Sequence, residues 1–278
     1  MTFSTEIFLK FFGSFLPSGS IASLNYGLRV MLMMVGLFGQ AAGVASFPFL
    51  SQLAASKQLN EMNQLLNTTI RYLGLLLPFS ALLMVLRHEV VILLFQRGRF
   101  DSAAADLTAQ ALLFLMTGAF AFSVQTVVAR GFYAMQNTIL PTAFGTLAVL
   151  FSLPIYWLGL HYMDVAGVAL AISLSAILQV AVLYVVWNRK SGNKDSRMVY
   201  GFYGRMLILA MVLGGLLETV RRFLHTLVSA NLFTANLIIC LVVGCLFLVC
   251  LMAAGKYFNI SEIAVFTSRV KARLLRRS

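Results

Sequence analysis

The sequence predicts an all-α, polytopic membrane helical bundle, and three observations lead there. Seven hydrophobic stretches recur along the 278-residue chain, each close to the roughly 20 residues a helix needs to cross a hydrocarbon core. Sixty per cent of residues are apolar and mean hydropathy is +0.89, beyond ordinary soluble usage. The Lys and Arg residues gather in the connections between the stretches. Backbone polar groups in lipid must be satisfied internally, so stretches of this kind are helices.

The spans are expected at roughly 28–50, 71–95, 104–129, 138–160, 165–187, 204–222 and 232–254. Ahead of them, Ile7 to Leu16 is apolar but interrupted by Lys10 and Gly13. It is too short to span and reads as the tail of a helix whose beginning is absent. Pro78 and the charged run Arg87-His88-Glu89 divide the second stretch into a span over 71–86 and a short interfacial helix over 88–96. Two segments are amphipathic. In 52–70, Leu59, Met62, Leu66 and Ile70 share a face; in 259–278, Ile263, Phe266, Val270 and Leu274 do, behind a capping box of Asn259 and Glu262. Both are expected to lie on the membrane surface. The organisation is therefore 1–27 for a helix end and its loop, 28–187 for the core lobe, 188–254 for the last two spans and 255–278 for a basic tail.

Charge sets the expected orientation. Fourteen Lys and Arg residues flank the odd-numbered connections and the C-terminal tail, against five on the opposite side. Cytoplasmic loops collect basic residues, so the C-terminus is expected in the cytoplasm. The basic tail follows a span and carries an apolar stripe, which points to anionic lipid headgroups rather than nucleic acid.

Several chemistries lack their residues. Cys240, Cys245 and Cys250 are spaced by five and do not share a helical face, so they read as packing residues. His88, His161 and His225 are scattered, and no phosphate-loop or dinucleotide fingerprint occurs. The nine acidic residues form no evident acid/base pair. Glu218 is either an embedded ion site or the partner of Arg221 and Arg222, three and four residues on; the pairing is favoured. The expectation is no enzyme and no cofactor.

The first full span carries a polar face. Asn25, Arg29, Gly36, Gln40 and Gly43 fall on one side of a continuous helix. An Arg near a membrane interior faces water or an anion, and its guanidinium suits phosphate through a bidentate fork. The alternative is that Arg29 snorkels to the interface. Gly74, Pro78 and Pro154 lie within spans and suit helices that bend.

The segment from Gly19 to Arg29, GSIASLNYGLR, resembles the GS-x-x-x-L-x-YA-x-R motif of the MurJ/MviN family of lipid II flippases. Phe47-Pro48-Phe49-Leu50-Ser51 matches the family's FP-x-LS ending, and Leu94 to Phe100 resembles its LF-x-RG-x-F loop. Gly131 to Thr138 with Pro141 resembles FYA-x-x-DT-x-TP, with Asn137 at the usual Asp. Leu28 and Met34 depart from the usual acidic residue and Pro. The resemblance implies an exporter fold of two helical lobes around a cavity, of which this chain would supply the C-terminal lobe. It implies movement of a lipid-linked peptidoglycan precursor across the bacterial cytoplasmic membrane, with Arg29 on the pyrophosphate and Asn25 and Gln40 on sugar or peptide. It also implies a partner: an N-terminal lobe, or a second copy as a homodimer. The alternatives are a flippase for another polyprenyl-linked saccharide and a scaffold that does not transport.

Overall fold

The computed structural model describes residues 2–98, 100–227 and 232–257. The expected tail helix over 259–278 and Arg99 lie outside the described residues. All described regular structure is helical: α1 Thr2–Gly13, α2 Ser20–Val35, a π-helical turn Gly36–Gln40, α3 Ala41–Ala55, α4 Leu59–Leu73, α5 Leu76–Val85, α6 Arg87–Phe95, α7 Ser102–Met116, α8 Ala119–Ala134, α9 Ile139–Ser191, α10 Ser196–Leu227 and α11 Leu232–Tyr257. Four of these helical stretches are long and apolar enough to cross a membrane, or five when the bent pair α7–α8 is taken as one span.

Each expected stretch falls on helix, with differences that have physical causes. The second breaks at Leu86, ahead of the charged run, giving separate α5 and α6. The third is not straight: α7 and α8 meet at Thr117-Gly118 with a 46° bend. The fourth and fifth form one 53-residue element, divided where Asp164 takes φ 49°. Asp101 starts α7 as a true cap, its carboxylate accepting from the Ala104 amide at 2.8 Å.

The amphipathic segment expected on the membrane surface behaves otherwise. Residues 52–55 finish α3, a turn at Lys57 intervenes, and α4 begins at Leu59. Met62, Leu66 and Ile70 are buried as the periodicity requires, while Leu59 is exposed. Asn63 and Asn67 are also buried, because α4 packs against α3, α8 and α10 and continues towards α5. Their amides are satisfied across the bundle. Trp187 Nε1 donates to Asn63 Oδ1 at 3.0 Å, and Asn63 Nδ2 donates to the Ser191 carbonyl at 3.1 Å. Tyr184 donates to Asn67 Oδ1 at 2.8 Å. This is how buried polar side chains survive in an apolar bundle.

Three apolar clusters fill the interior. One joins α1, α2, α7 and α9, the second joins α3, α4, α8 and α9, and the third joins α5, α10 and α11. The last two helices thus share a core of their own with α5. Gly39 lets the π turn meet α8 at close range: a methyl group there would overlap Ser123. Gly74 lies at the break between α4 and α5 and is also a packing position, because a side chain would collide with Phe202 of α10.

A polar cluster fastens α10 to α6. The Glu89 side chain is 1% exposed, and its Oε1 accepts from Arg221 Nε at 2.7 Å and contacts His225 Nε2 at 2.7 Å. Arg221 also reaches Glu218 at 3.1 Å, and Arg222 pairs with Glu218 at 2.9 Å. The pairing favoured for Glu218 is therefore present, and it extends to a buried acid on another helix.

Candidate functional site

The polar face of the first full span does not stay intact. A π turn contains more residues per turn than an α-helix, so Gly36–Gln40 shifts the register between the two halves of the span. Asn25 and Arg29 remain together, while Gln40 and Gly43 are turned to another neighbour.

Asn25 and Arg29 line a cleft of about 460 Å³ between α1 and α2, with Glu6, Lys10, Tyr26 and Leu32 among its walls. Arg29, Lys10 and Glu6 are exposed, while Leu28 on the neighbouring helix face is buried and anchors the wall. The Arg29 guanidinium stands 6.0 Å from the Tyr26 ring centre, in cation–π range. Among the described residues no carboxylate forms an ion pair with Arg29 or Lys10. Two cations and one carboxylate leave the cleft with a net positive charge. Asn25 Nδ2 donates to the Ile21 carbonyl at 2.8 Å, so its side-chain oxygen is the group left to face the cleft. The cleft can therefore offer a guanidinium fork, an ammonium and an amide oxygen.

Gln40 lies elsewhere. Its Oε1 accepts from Arg130 Nη2 of α8 at 3.1 Å, and its carbonyl accepts from Nη1 at 3.4 Å. The structure thus joins two of the three expected site residues and assigns the third to Arg130. Lys10 and Arg130 are the residues that the sequence pattern did not select. Glu6 and Lys10, four apart in an otherwise apolar helix, were the available signal for a polar face on α1. Arg130 reads from hydropathy as a connection residue, but α8 runs on to Ala134 and carries it against α3. Among the described residues no group of three His, Cys, Asp or Glu could hold a metal ion.

Long apolar helices of this kind define a polytopic helical membrane protein, in which a positively charged cleft opens between α1 and α2. The family profile described as "Lipid II flippase MurJ" matches residues 3–239, and the chain belongs to that family. It is accordingly a multi-pass protein of the bacterial inner membrane. A relative from Vibrio cholerae serotype O1, described as "Probable lipid II flippase MurJ", is 29% identical over 212 residues, covering 76% of this chain and 40% of the relative. "Lipid II flippase MurJ" of Burkholderia cenocepacia is 26% identical over 204 residues, covering 73% of this chain and 40% of its own length. The solved structure "Lipid II flippase MurJ, inward closed conformation" shares the fold, with a TM-score of 0.67 at 20% identity over 92% of this chain and 51% of the other. The chain spans about two fifths of the length of these curated relatives and about half of the solved structure.

Proposed function

We propose that this chain is the C-terminal lobe of a lipid II flippase, with seven spans, working by alternating access against an N-terminal lobe. The observation that carries the reading is the α1–α2 cleft, in which Arg29 and Lys10 are unpaired among the described residues in a chain of this family. Arg29 binds the pyrophosphate of an undecaprenyl-linked precursor through its fork, Lys10 adds a second charge, and the Asn25 oxygen accepts from the sugar or peptide. No covalent step is involved: the cationic wall shelters the headgroup while the polyprenyl tail stays in lipid. Anionic lipid headgroups meet the basic residues of the loops and tail.

A lobe with this cleft open to lipid would leave an arginine uncovered, at about 2.5–3.5 kcal/mol on insertion scales. An N-terminal lobe, or a second copy of the chain, covers it. The test is reconstitution of the purified chain in liposomes with labelled lipid II, with and without the N-terminal half of a related flippase. The expected result is translocation only when the second half is present. Efficient translocation by monomers of the chain alone would overturn the need for a second lobe, and inactivity under both conditions would overturn transport.

Orientation follows from the charge distribution and has its own check. A reporter fluorescent only in the cytoplasm, fused after Ser278, is expected to light up, while alkaline phosphatase placed in the 96–101 connection is expected to be active. The reverse pattern would invert the topology.

A further inference from the structure

We propose that Arg130 is a second phosphate-binding point, distinct from the α1–α2 cleft and positioned by Gln40. Arg130 lies near the end of α8, half-buried, and its guanidinium is fixed from two directions. Nη2 donates to the Gln40 side-chain oxygen at 3.1 Å and Nη1 to the Gln40 carbonyl at 3.4 Å. Gly43 completes the seat. A methyl group at that position would overlap Nη1, so the guanidinium rests directly on the backbone of α3. A guanidinium carries five N–H groups; two are committed to Gln40, and the others remain for an anion. Among the described residues no carboxylate pairs with Arg130. An oriented, uncompensated guanidinium inside a membrane protein is complementary to phosphate rather than to a neutral group.

The separation from Arg29 defines what this point can do. Eleven residues of helix place Gln40 roughly 16 Å from Arg29 along the axis. That axial offset suits two successive stations, one on each side of the π turn. With the orientation proposed above, Arg130 is the station nearer the cytoplasm and Arg29 the one nearer the outer face. The ligand is a phosphate carried by a lipid, either the diphosphate of a polyprenyl-linked cargo or a phospholipid headgroup. The cargo assignment rests on the transport reading; the phosphate site does not.

The test is native mass spectrometry of the full purified chain with two probes, a short-chain polyprenyl diphosphate and phosphatidylglycerol. The variants are Arg130→Gln, Arg130→Lys, Gly43→Ala and, for the other station, Arg29→Gln. Gly43→Ala keeps the charge and displaces the guanidinium, so it covers the case in which Arg130→Gln fails to fold. The expected result is a fall of about tenfold in diphosphate adducts for Arg130→Gln, a smaller fall for Gly43→Ala and Arg130→Lys, and a further fall when Arg29→Gln is added. Loss confined to phosphatidylglycerol adducts would support the site and assign its ligand to the bilayer. If adducts of both probes survive in Arg130→Gln and Gly43→Ala, this proposal is overturned; if they then fall only in Arg29→Gln, the cleft reading stands without it. Unchanged binding in all four variants would remove both.

Discussion

Replacing Arg221 by methionine is expected to destabilise the purified protein by about 3–5 kcal/mol, the cost of leaving a buried charge without its partner. Glu89 is the reason. Its side chain is 1% exposed, Arg221 Nε is 2.7 Å away, and its second oxygen has no hydrogen-bond partner among the described residues. His225 also meets Oε1 but is about half exposed, so water already competes for it. Arg222 belongs to the same cluster, yet its side chain is 78% exposed; Arg222→Ala is expected to cost about 0–1 kcal/mol. A double-mutant cycle separates the pair from its parts. Arg221→Met combined with Glu89→Met removes both charges and should recover most of the loss, because an apolar pair of similar volume often matches a buried ion pair. The measurement is the midpoint of thermal unfolding in detergent. Parent-like stability of Arg221→Met alone would show that Glu89 does not depend on this arginine.

The same cluster shows why part of the architecture was legible in the sequence and part was not. Glu218 with Arg221 and Arg222 is a local pattern at spacings of three and four, and the structure contains it. Glu89 lies more than a hundred residues away, and only the tertiary fold, with α6 packed against α7 and α11, brings it within reach of Arg221. Helix positions were likewise readable, since span length and apolarity are properties of a single segment. The break at Leu86 could be anticipated from Arg87-His88-Glu89, but the 46° bend between α7 and α8 has only Thr117-Gly118, within an apolar stretch, as its local sign. The burial of Asn63 and Asn67 has no local sign, because their partners, Trp187 and Tyr184, come from a distant helix.

The candidate site follows the same division. Asn25 and Arg29 are one helical turn apart, and that relation survives folding. Gln40 was joined to them by counting at an α-helical period, and the π turn at Gly36–Gln40 changes the count. A π turn owes its stability to the neighbours that accept it. Here Gly39 pressed against Ser123, with Arg130 bonded to Gln40, are tertiary contacts that no local period records. Lys10 joined the site for a related reason: α1 lies along α2, so a charge that interrupts one apolar run becomes the opposite wall of a cleft.

Arg29→Ala is expected to abolish transport by the reconstituted two-lobe assembly, and Arg29→Lys to reduce it by about tenfold or more. The sign follows from what each change removes. Alanine leaves the α1–α2 cleft with Lys10 and Glu6 as its charges, which cancel, so nothing remains to offset a diphosphate. Lysine keeps the charge but loses the planar fork and its fixed pair of donors, and hydrogen bonds to charged groups are worth about 1.5–3 kcal/mol each. Lys10→Gln should be intermediate, because an ammonium contributes charge without bidentate geometry. The control is Arg222→Ala, on α10 with its side chain 78% exposed and outside the residues that line the cleft, which should leave transport near the parental rate. Initial rates of labelled lipid II translocation, normalised to the amount of protein in the liposomes, decide the matter. Snorkelling makes the opposite forecast: an arginine that reaches only to the interface can be replaced by alanine with parental rates at equal membrane levels. That outcome would move the binding of the diphosphate away from Arg29 and leave Arg130 as the cation to examine next.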